Sequence, residues 1–251
     1  MKKYVGILAI WAAIVLLLAG LGIVAGRAQA ARSRLLCNKV DVQIKDKYEF
    51  VTEEDVKGFL DRRYGPCIGV RLDSLDLGRI ERMLEEKSVV MKSEAWTTPD
   101  GILHVSIVQR APALRFNRNG KGFYMDRTGF VFPLHKDYTA DVPLIEGAIP
   151  VIEDGSNPEW AHGIIELMEY IRSSRQWKDR IAGVTVNAAG DIELRVNDGR
   201  ERFIFGRPDE LESKFERMGK YYSHIRPSKD EGYYKSVNLK YNKQIICRKD
   251  T

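Results

Sequence analysis

Apolar and polar residues alternate over much of the chain, which is the pattern of half-buried β-strands. In the last such stretch, Val237, Leu239, Tyr241, Ile245 and Cys247 alternate with polar neighbours, and this predicts one terminal strand. In the strand at 102–109, the alternation turns Leu103, Val105 and Ile107 inward, and His104 and Ser106 outward. The predicted strands are Val40–Ile44, Val89–Trp96, Ile102–Gln109, Ile181–Val186, Asp191–Val196, Arg202–Phe205 and Val237–Arg248.

Four helices are predicted between these strands from their first residues. Thr52 and Asp76 are good N-caps for helices at about 53–63 and from 77 onward, and Asn157 followed by Pro158 begins a third. A fourth helix opens at Pro208. The order strand, helix, helix, strand, strand, followed by a strand-rich region with a hairpin turning near 126–129, indicates an α+β protein.

Residues 4–26 form an uncharged apolar run between Lys3 and Arg27. As a helix rising about 1.5 Å per residue, this run spans roughly 34 Å, which is enough to cross a bilayer. A cleaved signal peptide is the alternative, because the small residues at 28–30 resemble a cleavage site, but its apolar core is usually only about 7–15 residues long. We therefore expect a head at 1–3, a transmembrane helix at 4–26, a stalk at 27–38, and two domains at 39–114 and 115–251.

The net charge of +5 is carried by the flanks of this apolar run. Residues 1–36 contain five basic residues and no acid, so the rest of the chain is neutral. A neutral folded region has no cationic surplus for neutralising phosphates, which argues against a nucleic-acid binder.

No catalytic or metal-binding constellation stands out in the sequence. Cys37, Cys67 and Cys247 are far apart, and the four histidines are scattered singly. Cys37 and Cys67 are either a disulfide of an exported domain or ordinary buried thiols. The paired acids at 153–154 and 209–210 fit a polar loop and a helix start, respectively. We expect no enzyme activity, no cofactor, no metal and no small-molecule substrate.

Five motifs in a fixed order give the chain its family resemblance. They are VSIVQRAPALRF at 105–116, FYMDRTGFVFP at 123–133, VPLIEG at 142–147, FIFGR at 203–207 and VNLKY at 237–241. With the preceding β-α-α-β-β unit and the apolar run, this chain resembles the FtsQ/DivIB cell-division family, in which that unit is a POTRA domain. The last motif commonly reads Asp-Leu-Arg-Tyr in that family, whereas here it is Asn-Leu-Lys-Tyr.

The resemblance implies a non-enzymatic scaffold of the bacterial divisome. It implies a single-pass inner-membrane protein whose C-terminal domain lies in the periplasm at the septum. Its expected partners are two coiled-coil membrane proteins similar to FtsB and FtsL, and its expected role is to link early and late division proteins and help control septal peptidoglycan synthesis. The alternatives are a POTRA-bearing export or outer-membrane assembly factor and an exported hydrolase.

The candidate site is the free edge of the predicted terminal strand, where a partner segment can add a strand. Arg207 is either a solvated residue at a helix start or, as the resemblance implies, a residue beside this strand that pairs with an acid of the partner. The full set of expected partner-binding residues is Arg207, Lys240, Tyr241, Asn242, Lys243, Gln244 and Ile246.

Overall fold

The computed structural model describes residues 14, 16–22, 35–152, 155–230 and 232–249. The chain divides into two compact units between Gln109 and Arg110, whereas the sequence placed the domain boundary after Leu114. Most of the expected transmembrane helix at 4–26 lies outside the described residues. The residues of this run that the structure describes, 14 and 16–22, are helical. None of the helices in the described part of the chain has the length and hydropathy of a bilayer-crossing segment.

The first unit has the predicted β-α-α-β-β order. Its three-stranded sheet has the strand order β1-β3-β2, with β1 parallel and β2 antiparallel to the central β3. The elements are β1 (Lys39–Ile44), α1 (Glu53–Arg63), α2 (Leu77–Glu85), β2 (Val90–Thr97) and β3 (Ile102–Gln109).

Both predicted helix caps are present in this unit. The Thr52 hydroxyl accepts a hydrogen bond from the Asp55 amide while Asp55 bonds back to the Thr52 amide, which forms a capping box. Asp76 accepts from the Arg79 amide at 2.9 Å. These bonds satisfy amides that a helix start would otherwise leave unpaired.

One face of the central strand β3 differs from its prediction. Leu103, Val105 and Ile107 are fully buried as expected, but Ser106 is also buried, and His104 is half-buried beside Asp41 at 3.2 Å. Ser106 lies between Gln43 of β1 and Glu94 of β2 in the register, so longer neighbouring side chains flank its small hydroxyl. The alternating pattern identified the two faces of β3 correctly. It did not predict that side chains on the outward face of this central strand are partly or fully buried.

Cys37 and Cys67 are both buried and both free. Of the two alternatives left open by the sequence, the structure therefore shows two buried thiols and not a disulfide. Burial, reinforced by Cys37 and Asp61, raises the pKa of Cys67 to about 11. A thiol with so high a pKa is a weak nucleophile at neutral pH.

The second unit is a nine-stranded mixed sheet with two helices. The strand order is β12-β11-β10-β9-β8-β7-β4-β5-β6. The strands are β4 (Pro112–Arg118), β5 (Lys121–Asp126), β6 (Val131–Pro133), β7 (Leu144–Gly147), β8 (Ile181–Val186), β9 (Ile192–Val196), β10 (Arg202–Gly206), β11 (Ser236–Asn238) and β12 (Ile246–Arg248), and the helices are α3 (Pro158–Ser173) and α4 (Leu211–Lys220).

The hydrophobic core lies on one face of this sheet, which we call the inner face. Inward-facing strand residues such as Phe116, Leu194 and Phe203 pack with Ile164 of α3 and Phe215 of α4 in one cluster. The opposite face, called the outer face below, carries the alternate residues of the same strands.

The starts of the two helices of this unit differ from prediction. α4 begins at Leu211 rather than Pro208, because Glu210 at its N-cap has a left-handed conformation with φ of 48°. Asn157 occupies the N-cap of α3 as predicted, but its side chain makes no cap and instead donates to the Val151 carbonyl at 2.9 Å. Local side-chain bonds of Asn compete in this way with helix capping.

Candidate functional site

The C-terminal segment forms two short strands and not the single strand expected at 237–248. β11 pairs in parallel with β10 on one side and antiparallel with β12 on the other, so β12 is the edge strand of the sheet. The connection at 239–245 contains a turn in which the Gln244 amide donates to the Tyr241 carbonyl and Lys243 has a φ of 58°. The sequence prediction of one continuous strand is therefore wrong, whereas its position at the sheet edge is correct.

The alternating pattern led to a wrong prediction because the connection between β11 and β12 also buries an apolar side chain near each of its ends. Leu239 is fully buried and Ile245 packs partly against the core, although neither is in a strand. The Asn238 side chain accepts a hydrogen bond from the Lys240 amide at 2.9 Å, which turns the backbone out of the strand direction.

A buried arginine from α4 holds the beginning of this connection. Arg217 is 5% exposed, and its Nε and Nη2 donate to the Leu239 carbonyl at 3.2 and 2.9 Å. Its Nη1 donates to the Ser213 hydroxyl at 2.7 Å. Because two guanidinium donors converge on one carbonyl, the backbone just before Lys240 and Tyr241 is held in place.

A buried lysine fixes the backbone at Arg207 in a similar way. Lys214 Nζ donates to the Arg207 carbonyl at 2.8 Å and also pairs with the Asp209 carboxylate. The Arg207 side chain itself is exposed. No hydrogen bond or ion pair engages that side chain within the part of the chain that the structure describes.

Lys240 lies next to Arg207 although the two are far apart in sequence. A Cβ placed on Gly206 would lie 2.6 Å from Cγ of Lys240, so the lysine stem covers this glycine, directly before Arg207. The Lys240 ammonium pairs with Asp191 at 2.7 Å. The structure therefore brings two of the predicted site residues together, with one cation already paired and the other exposed.

The remaining predicted residues line the turn and the edge. Tyr241 is 52% exposed, and Asn242, Lys243 and Gln244 are also exposed in the turn rather than on a strand. Ile246 is 36% exposed at the start of β12, where it pairs with Asn238 of β11. Exposed apolar and aromatic side chains beside an open strand edge are features of peptide-binding surfaces.

Lysines lie on both sides of this hairpin. Lys249 lies 4.1 Å from the ring centre of Tyr233, and Lys229 lies 5.2 Å from it. The hydrogen bond with Lys249 lowers the pKa of the Tyr233 hydroxyl, and the same bond raises the pKa of Lys249. Together with Lys243 and Arg248, these cations favour an acidic partner segment at β12.

Sequence reasoning missed the buried residues that position this site, chiefly Lys214 and Arg217. A signal for them exists, because both lie on the same helix face as Leu211, Phe215 and Met218. A cation on the apolar stripe of a helix must find a buried acceptor, and here the acceptors are the carbonyls of Arg207 and Leu239.

The arrangement offers a binding surface. Over the described ranges, no three His, Cys, Asp or Glu side chains are grouped to hold a metal ion. What the site presents is a backbone edge, an exposed tyrosine and an exposed arginine.

Comparison with known families divides the chain at the same place as the structure. Residues 35–108 match the model of the POTRA-like domain, and residues 111–248 match the model described as FtsQ/DivIB, C-terminal related. No curated protein matches the chain significantly.

Proposed function

Because the chain belongs to the FtsQ/DivIB family, whose domains are those of non-catalytic cell-division scaffolds, we propose that it anchors a complex similar to FtsB and FtsL in the divisome. In this proposal the apolar run at 4–26 holds the chain in the bacterial inner membrane with its two folded units in the periplasm at the septum. By holding that complex, the chain links early and late division proteins and helps control septal peptidoglycan synthesis.

The observation that carries the proposal is the open edge of β12. An edge strand leaves backbone N–H and C=O groups without a sheet partner, and a chain that adds a strand there gains main-chain hydrogen bonds. β12 is only three residues long, so such bonds are few. Side chains next to the edge must therefore supply much of the affinity and the specificity.

Arg207 and Tyr241 are the two side chains that we assign to that role. Arg207 is an exposed guanidinium on a backbone held by Lys214, so it is oriented toward a partner carboxylate at low entropic cost. Tyr241 is a large exposed ring in a tight turn, and rings of this kind are common interface hot spots. Lys240, Asn242, Lys243, Gln244 and Ile246 complete the contact surface.

The proposal is tested by measuring the affinity of the full-length chain for the FtsB-like protein encoded in the same genome. Tyr241→Ala and Arg207→Glu should each weaken binding by roughly 1–3 kcal/mol, the range of interface hot spots. Arg175→Glu is the matched charge control, because Arg175 is an exposed arginine in the turn after α3 and lies outside this surface. The control should bind within about twofold of the unaltered chain, as is usual for a charge outside the interface.

Deletion of residues 241–251 should abolish capture, since it removes the turn and the whole of β12. Because β11 then becomes the edge, the thermal unfolding of the chain is recorded alongside, and Ile246→Lys serves as the milder variant. Capture at full affinity by a folded deletion variant would refute the β12 site.

A further inference from the structure

Four arginines lie in one row across the outer face of the nine-stranded sheet. The register pairs Arg248 with Ser236, Ser236 with Arg202, and Arg202 with Arg195. It continues from Arg195 to Gly183, and it pairs Leu144 with Arg115 on the far side. Ile145 pairs with Val184 on parallel strands, which places Leu144 next to Gly183 and makes the row continuous. We call Arg248, Ser236, Arg202, Arg195, Gly183, Leu144 and Arg115 the arginine row.

Most of the charge in this row is uncompensated. Arg202 pairs with Glu193 at 3.5 Å, but no carboxylate in the described part of the chain pairs with Arg115, Arg195 or Arg248. Arg195 and Arg202 face each other directly on neighbouring strands, an arrangement of like charges that destabilises a sheet. Local violations of this kind are expected mainly at functional sites.

A glycine in the row gives Arg195 its position. A Cβ on Gly183 would lie 2.6 Å from Nη2 of Arg195, so the guanidinium lies over the space that a side chain would fill. Arg195 is exposed there and keeps its donors available to a ligand.

An exposed leucine interrupts the row between Arg195 and Arg115. Leu144 is 43% exposed, which is unusual for a leucine in the middle of a sheet. The row thus has cations on both sides of an apolar side chain that a partner can cover.

We propose that the arginine row binds an acidic segment of a protein partner, with one apolar side chain of that segment packed against the exposed Leu144. From Arg248 to Arg115 the row crosses six strand spacings of about 4.8 Å, or roughly 29 Å, which an extended segment of about nine residues covers. Acids on either side of the apolar residue would meet Arg195 and Arg202 in one direction and Arg115 in the other.

Two features favour a polypeptide over an anionic membrane or a phosphate polymer. Glu193 and Glu146 lie on the same face one row away, about 7 Å along the strands, and would repel a broad anionic surface. A phosphate polymer also has no apolar group to cover Leu144.

The test uses the full-length chain and a fluorescent nine-residue peptide with a central leucine between two acidic arms. Arg195→Glu should weaken binding by about tenfold or more, which corresponds to about 1.4 kcal/mol. Arg175→Glu, the same change in the turn after α3, should leave the affinity within about twofold. Replacing the central leucine of the peptide by serine should weaken binding by roughly threefold or more, because one buried apolar side chain is lost.

Gly183→Val provides a second, independent variant. It should weaken binding of the leucine peptide because the valine displaces the Arg195 guanidinium, and thermal unfolding shows whether the variant is folded. Inorganic polyphosphate and water-soluble dihexanoyl phosphatidylglycerol are added as competitors. The proposal fails if a lysine-armed peptide binds equally well, if Arg175→Glu has the effect of Arg195→Glu, or if either competitor binds more tightly than the peptide. None of these variants alters β12, so the outcome is separate from that of the strand-addition test.

Discussion

The two edge strands of the nine-stranded sheet are equal in length but differ in how far their side chains are buried. β6, at one end, comprises Val131–Pro133, and β12, at the other, comprises Ile246–Arg248. Phe132 of β6 is 1% exposed and packs on Tyr124, whose hydroxyl accepts a hydrogen bond from the Ala140 amide. The chain after β6 thus crosses back over the face of the sheet at this end, whereas no such cover lies over β12 among the described residues.

Proline adds to this difference. Pro133 has no N–H to offer a further strand, and sheets accept proline mainly at edges. β12 carries no proline, and its outer-face side chains are Ile246 and Arg248. The comparison teaches that two edge strands of equal length can differ in burial, in proline content and in the path of the neighbouring chain.

The largest expected effect is on stability at the closed end. Phe132→Ala should lower the free energy of unfolding of the second unit by about 3–5 kcal/mol, because it removes a fully buried ring. Ile246→Ala at the open end should lower it by less than about 1 kcal/mol, since that side chain is already partly exposed. Urea unfolding measures both, and a comparable loss for the two variants would contradict the contrast between the ends.

Arg217→Leu should have the next largest effect, at the open end. It leaves the buried Leu239 carbonyl without its donors and should lower the free energy of unfolding by about 1–3 kcal/mol. It should also weaken partner capture, because the turn that begins at Leu239 loses its anchor. Lys220→Leu on the same helix is the control, and breaking its exposed pair with Glu216 should change stability by less than about 0.5 kcal/mol. If capture is unchanged in a destabilised Arg217→Leu variant, the turn does not contribute to binding.

Pro133→Thr tests whether the closed end can be opened. The substitution restores an N–H to the β6 edge and should change the free energy of unfolding by no more than about 1 kcal/mol, because Pro133 is exposed. We expect concentration-dependent self-association that the unaltered chain does not show, measured by sedimentation velocity. A monomeric variant would indicate that the proline is not what closes this edge.

The smallest expected effect is a change in thiol reactivity at the open end. Burial raises the pKa of Cys247, so its thiolate fraction is low at neutral pH and its alkylation by iodoacetamide should be slow and should accelerate as the pH rises. Cys247 is half-buried and should still react faster than the buried Cys67. A saturating FtsB-like partner should slow labelling of Cys247 and leave Cys67 unchanged. Equal labelling of Cys247 with and without the partner would place the contact elsewhere.

Most elements of the fold were predictable from local pattern. The caps at Thr52 and Asp76 and the hairpin near 126–129 depend on neighbouring residues, since the Asp126 carboxylate accepts from the amides of Thr128 and Phe130. The misses were the strands β4 and β7, the burial of Ser106, the late start of α4 and the division of the terminal strand. Each of these depends on residues distant in sequence or on a backbone conformation that side-chain periodicity does not encode.

The candidate site was predictable only in part. Its place at the C-terminal sheet edge followed from alternation and from the ordered motifs of the family. The proximity of Lys240 to Arg207, the support from Lys214 and Arg217, and the arginine row did not, because they arise when separate segments of the chain are placed side by side.

By itself, the sequence determined the α+β class, the order of the helices and of most strands, the neutral charge of the folded part and the family. These properties depend on short-range periodicity, capping and composition, which the order of residues contains directly. Only the tertiary structure decided which strand is the open edge, which cations remain unpaired and where the arginines of the row align. Strand order and register bring residues more than a hundred positions apart, such as Arg115 and Arg248, into one row, and no local pattern specifies that pairing.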